Sequence, residues 1–217
     1  MTGMSSTAAP LTPRRRLLLD AALRVAADEG LRGLTHRAVD RRAGVAEGSC
    51  SAYFRTRKAL QAALTEYVAA ALGDDVASLA EALEGAQETD DRAVELAMRL
   101  FLRWLEERQL LLAKLEVSLE ASREPELAGL LAEWRGRLVE LVDGIMVARG
   151  LEQGTDRAET LVASLDGILF AALLKPHEDR QAFLNRSLSL LMAALTGERT
   201  PEPAGPQASP GPPAATV

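Results

Sequence analysis

Apolar residues recur at helical spacing along almost the whole chain. Leu17, Leu18, Ala21, Ala22, Val25 and Ala26 form a first stripe, the i, i+3, i+4 recurrence of an amphipathic helix. Gly30 is placed to end it, since glycine takes the left-handed conformation that stops a helix at little cost. Leu34, Ala38, Val39 and Ala43 form a second stripe, opened by Thr35 and left at Gly44; a threonine hydroxyl is a good first-turn acceptor. Val45 re-enters the core, residues 46–53 make a segment too short to stand as a helix unless its neighbours brace it, and Phe54 closes the unit. From Thr56 a long helix is predicted as far as Leu83. Leu60, Ala63, Leu64, Tyr67 and Val68 would pack on the N-terminal unit, and Leu72, Val76, Leu79 and Leu83 on the C-terminal helices. A helix shared in this way is a mechanical link.

Five further amphipathic segments are predicted. The first is capped by Thr89 or Asp90 and runs to about Glu107; the second covers Leu110 to Ser122. Pro125 suits a first turn and opens the third, which stops at Gly150; the fourth runs from Thr155 or Asp156 to near Pro176, and the fifth from Asp179 to Gly197. Residues 1–13 and 198–217 are rich in Pro, Ala, Ser, Thr and Gly and carry no packable face, the composition of a flexible N-terminus and a disordered tail. The expected fold is all-α. A helix-turn-helix head over residues 14–60, three helices with the first lying across the pair, joins through the long helix to a helical bundle over 61–197. Two short helices about a glycine make either a DNA-binding helix-turn-helix or an ordinary αα-hairpin in a bundle.

Charge separates the two. Of the chain's 25 Lys/Arg and 31 Asp/Glu, eleven and five fall in residues 1–60, so a basic head sits on an acidic body despite the overall charge of −6. That is the electrostatic footprint of a DNA-binding head. Arg14, Arg15 and Arg16 open the first helix, where cations are unfavourable and phosphate contact or solvation is the reason to weigh. No apolar run approaches the ~20 residues of a membrane span, and no signal peptide is read, so a bacterial cytoplasm is the simplest compartment. Cys50 is the only cysteine; it excludes a disulfide framework and a cysteine zinc site, leaving a buried apolar side chain or a redox-responsive thiol. His36 and His177 stand apart, so no metal site is expected. No cofactor loop or catalytic Ser/His/Asp grouping is present, and an enzyme is not expected.

The polar positions resemble those of the tetracycline-repressor (TetR) family of bacterial regulators. The likeness rests on Ala21-Ala22, Gly30, Thr35, Val39 with Ala43-Gly44-Val45, Gly48, Tyr53-Phe54, and the step Thr56, Arg57, Leu60. The chain departs from the family pattern at Ala46 (usually a capping serine), Cys50 (leucine), Ser51 (tyrosine), Tyr53 (histidine) and Arg57 (lysine). The resemblance implies DNA-contacting residues at Thr35, His36, Arg37, Ala46, Glu47, Gly48, Ser49, Ser51, Ala52, Tyr53, Arg57 and Lys58. Thr35, Tyr53, Arg57 and Lys58 would hold phosphates, His36 could reach one, and Arg37 would read guanine O6/N7. Glu47, Ser49, Ser51 and Ala52 would line the recognition helix, with Glu47 accepting from cytosine N4 and Ala52 touching a thymine methyl.

The resemblance further implies a homodimer through residues 156–174 and 179–195, using Leu161, Leu165, Ile168, Leu169, Leu184, Leu188 and Leu191. It also implies a near-palindromic double-stranded operator, and a largely apolar small-molecule effector. Candidate pocket residues are Phe101, Trp104, Leu115, Ser118, Trp134, Leu138 and Phe170, with Arg99, Arg103, Lys114, Glu116 and Asp166 as further polar candidates. The expected function is a ligand-responsive repressor released from its operator by that molecule. The alternative is a DNA-binding helical dimer that is constitutive or answers to a protein partner.

Overall fold

The computed structural model describes residues 11–83 and 90–196. The N-terminal residues 1–10, the tail, Thr89 as a cap and Gly197 as a stop lie outside the described residues. Among the described residues the chain folds as α1 (Pro13–Gly33), α2 (His36–Ala43), α3 (Ser49–Tyr53), α4 (Arg57–Leu83), α5 (Asp90–Glu106), α6 (Arg108–Ala121), α7 (Pro125–Ala148), α8 (Thr155–Leu173) and α9 (His177–Thr196), with no strand.

Local chemistry sets most of these ends. The Thr12 hydroxyl accepts from the Arg15 N–H (3.3 Å) at the start of α1, Thr35 does the same for Ala38 (3.2 Å) in α2, and Thr56 for Ala59 (3.0 Å) in α4. Gly30 breaks α1 at φ 70°, and Gly44 ends α2 at φ 65°. The recognition helix α3 starts at Ser49, three residues later than the expected segment. Gly48, at φ 90°, cannot be a helical residue, so Ala46 and Glu47 lie in the turn. α6 starts at Arg108 rather than Leu110, and His177 opens α9 instead of sitting in the loop before it.

α1 lies across α2 and α6, α4 packs on α7, α5 on α9, and α7 on α8. One core runs without a break from Leu18, Leu19, Val25 and Val39 through Cys50, Leu60 and Leu64 to Leu72, Trp104, Val117 and Leu184. Burying each Leu or Val of such a core contributes roughly 1.5–3 kcal/mol. A smaller cluster around Val139, Val142, Met146, Leu161 and Val162 joins α7 to α8. Near Leu60 the core is therefore continuous, and α4 belongs both to the head and to the body.

A polar contact fastens α4 to α1. The Tyr67 hydroxyl donates to Asp20 Oδ1 at 2.6 Å. Burial first, and then that bond to a carboxylate, push the Tyr67 hydroxyl up to about 12 from 10.0. A value raised on folding stabilises fully below the unfolded value, here about pH 10, and that contribution is lost as pH rises through the folded value. Tyr67→Phe is expected to cost about 1–2 kcal/mol near pH 8. In urea melts the gap between variant and parent should narrow between about pH 10 and pH 12.

Candidate functional site

One face of the head is built from α2 and α3. Arg37, Ala46, Glu47, Gly48, Ser51, Ala52 and Tyr53 are all exposed there, and Ser49 is half-buried. Arg37 and Glu47 reach toward each other across the turn (4.0 Å) with side chains 84% and 80% exposed. Such a pair is worth little in water, so either group is free to turn to a base edge. Arg14 of α1 donates to the Ser49 hydroxyl (3.3 Å), which places a cation from the first helix beside the recognition helix. Ser51 donates back to the Gly48 carbonyl (2.9 Å), and that internal bond holds its hydroxyl against the start of α3.

Four of the expected contact residues already have work within the fold. The Thr35 hydroxyl accepts from the first turn of α2. His36 Nε2 donates to the Phe54 carbonyl (2.6 Å), tying the start of α2 to the end of α3. Arg57 donates to the carbonyls of Leu31 (2.7 Å) and Arg32 (3.3 Å), satisfying the end of α1. Lys58 lies 3.6 Å from Glu124 and 3.7 Å from Glu126 at the start of α7. His36 is half-buried, and both it and Arg57 are held by backbone carbonyls of the head.

The residue on which α3 depends is Asp40, which the helix-turn-helix pattern does not single out. Its carboxylate is 1% exposed and accepts from the Gly48 N–H (2.8 Å) and the Cys50 N–H (2.7 Å). These are orphan donors at the start of a helix that has no side-chain cap of its own. The signal was present: Asp40 shares the buried face of α2 with Val39, and a carboxylate there must find partners.

Cys50 is fully buried beside Asp40. Burial first, and then the Asp40 charge, push its thiol up to about 11, and the thiolate is the reactive form. The native protein at pH 8 should therefore resist a thiol reagent that modifies it rapidly in denaturant. Equal rates in the two states would restore a redox role.

Helices α4, α5, α7, α8 and α9, with Lys114 of α6, line an apolar cavity of about 150 Å³ that is partly open. Phe101 and Trp104, stacked at 5.6 Å, share its wall with Leu72, Val76, Trp134 and Leu138. Its charged lining is Lys114, Arg149 and Asp166. Leu115 and Ser118 are half-buried but do not line it; the Ser118 hydroxyl donates to the Lys114 carbonyl (2.8 Å). Phe170 is 49% exposed on the outer side of α8 and does not line this cavity. Arg103 pairs with Asp75, which also accepts from Trp104 Nε1 (2.6 Å). Arg99 pairs with Glu95, and Glu116 accepts from the Leu31 N–H (3.2 Å), capping the resumption of α1 after Gly30.

The expected dimer residues are covered to different degrees within the protomer. Leu161, Leu169, Leu184 and Leu188 are buried within the protomer, and Leu165, Ile168 and Leu191 pack half-buried on its core. Helix amphipathicity shows which face is covered, not what covers it; here α5 and α7 of the same chain do so. What α8 and α9 leave exposed is Phe170, Leu174 (71%) and Leu190 (55%). Among the described residues there is no cluster of metal-binding side chains, and no helix is long and apolar enough to cross a membrane.

Comparison with known families places two matches on the chain. Residues 18–64 match the model for bacterial regulatory proteins of the tetR family, and residues 87–198 match the tetracyclin repressor-like C-terminal domain. Among solved structures, a TetR-family member from Streptomyces coelicolor A3 is 31% identical with TM-score 0.65, covering 83% of this chain and 98% of its own. The multidrug binding protein EbrR, complexed with ethidium, is 31% identical with TM-score 0.61, covering 82% and 98%. A transcriptional regulator from Rhodococcus sp. Rha1 shares the fold at TM-score 0.70 and 22% identity, covering 88% and 100%. No curated protein matches the sequence.

Proposed function

The chain belongs to the TetR family of bacterial transcriptional regulators, and on that premise we propose that it is a repressor that binds a near-palindromic operator as a homodimer and is released by a small molecule. In this reading residues 14–60 read DNA, and residues 61–197 bind the effector and dimerise. The observation that carries it is α4. It is one helix of 27 residues, with Leu60 and Leu64 in the core beside α1 and with Leu72, Val76, Leu79 and Leu83 on the cavity wall. A molecule in the cavity touches the same rigid element that positions the head. The effector must bind the state with misplaced heads more tightly than the DNA-binding state, because only differential affinity shifts an equilibrium.

The relative EbrR, crystallised with ethidium, malachite green and proflavin, supports a ligand for the body without naming this one. The exposed Phe170, Leu174 and Leu190 supply the apolar surface for the dimer in place of the buried leucines. A two-fold dimer sets two recognition helices on half-sites roughly 34–36 Å apart or a multiple of that.

Selection of bound fragments from genomic DNA by the purified protein tests the reading. Enrichment of a near-palindrome is the expected result; no enrichment over random DNA overturns it. Arg37→Ala should lower affinity for the selected sequence by about 1–3 kcal/mol while hardly changing affinity for random DNA. Arg37 is exposed and makes no contact within the core, so the melting temperature should not move.

A further inference from the structure

The cavity is not uniformly apolar, and a lysine carries a charge into its wall. Lys114 reaches it from α6 with a side chain only 16% exposed. Its ammonium pairs with Asp166 Oδ1, and Arg135 takes Asp166 Oδ2 at 3.0 Å. Asp166 is the one acidic side chain that lines the cavity among the described residues. Both its oxygens are thus engaged, and two cations stand against one carboxylate. An ammonium has three donors. Among the described residues Lys114 has one acceptor for them, Asp166. Trp134, on the same wall and 7% exposed, lays its indole Nε1 beside Gly73 of α4. An ammonium with donors to spare in an apolar wall is what an incoming acceptor satisfies.

We propose that the effector is a small apolar acid whose carboxylate is taken by Lys114 Nζ, with its apolar body against Phe101, Trp104 and Trp134. This rests on the reading of the body as a ligand-binding unit. The volume sets the scale, because a dry cavity of about 150 Å³ holds a single benzene-sized ring. The charge sets the class. Among the described residues a cationic compound meets two cations against one carboxylate, whereas an acid supplies acceptors to the remaining donors of the ammonium.

The test uses the full chain and three probes of one shape: benzoate, benzyl alcohol and benzylammonium. Both tryptophans of the chain line the cavity, so their emission reports occupancy. Benzoate is expected to bind at least about tenfold more tightly than benzyl alcohol, with benzylammonium weakest. Lys114→Met should bring benzoate to the level of benzyl alcohol and leave benzyl alcohol unchanged. Lys114→Arg is expected to retain the preference for benzoate. If Lys114→Met fails to fold by circular dichroism, Lys114→Gln, expected to lose that preference, carries the test. Benzylammonium binding as tightly as benzoate overturns the acid class while leaving a ligand cavity. A benzoate affinity untouched by Lys114→Met or Lys114→Gln also overturns it. Binding of none of the three overturns the ligand-binding reading beneath it.

Discussion

Replacing Asp40 with alanine is expected to abolish sequence-specific DNA binding and to destabilise the fold by about 2–4 kcal/mol. The carboxylate is 1% exposed and holds two backbone N–H groups at the start of α3. α3 has five residues, far below the length at which a helix persists on its own. With the carboxylate gone, the Cys50 N–H stays buried without an acceptor, and the helix presented to DNA loses its anchor. Asp40→Asn should be intermediate, since an amide offers one accepting oxygen and turns a donor toward the other N–H. Urea melts and fluorescence anisotropy on the selected operator check both. An Asp40→Ala protein that binds with parental affinity would show that packing alone orients α3.

The second large effect is expected at Leu64. This side chain is fully buried on α4, in the stretch shared with α1. Leu64→Ala removes its transfer energy and leaves a cavity, a loss of about 2–5 kcal/mol for a core leucine. For a chain of this size each kcal/mol moves the melting temperature by roughly 2–4 °C, so scanning calorimetry should show a drop on the order of 10 °C. Leu174→Ala is the matched control. Leu174 is 71% exposed, so its loss should change protomer stability by less than about 0.5 kcal/mol. It should instead weaken the proposed dimer, read by sedimentation. A Leu64→Ala protein with an unchanged melting temperature would mean that α4 is not fastened to the head where the proposed linkage needs it.

Much of the architecture was legible because it is local. Thr35, Gly30, Gly44 and Pro125 act within a turn of their own positions, and helix spacing records which face is covered. What escaped is what depends on a partner far along the chain. Asp40 serves an N–H ten residues away, and Glu116 caps Leu31 from 85 residues away. The stripe of Leu161, Leu165 and Leu169 carries the same pattern whether α5 and α7 or a second protomer covers it, so spacing alone names no partner, and the dimer reading comes from the resemblance. Phe170 is a related case: spacing makes it a candidate for the pocket, and only the packing of α8 shows that it stands on the open side. The wall of the cavity drew Phe101, Trp104, Trp134 and Leu138 together from two helices, whereas Lys114 and Asp166, which give it a chemical preference, meet only in three dimensions.

The ion pairs of Lys58 bear on how operator binding will respond to salt. In the free protein this ammonium sits near two carboxylates of the body, Glu124 and Glu126. On a duplex the same ammonium would be offered a phosphate, and it cannot serve both. Each phosphate neutralised by a cation ordinarily frees condensed counterions and adds about 0.9 to the logarithmic salt slope. If Lys58 turns to DNA, two glutamates are left behind that recruit cations from solution and return part of that release. The slope would then undercount the phosphates held. Neutralising Glu124 and Glu126 should steepen it while raising affinity, so the body's acidity acts as a competitor that the operator has to displace.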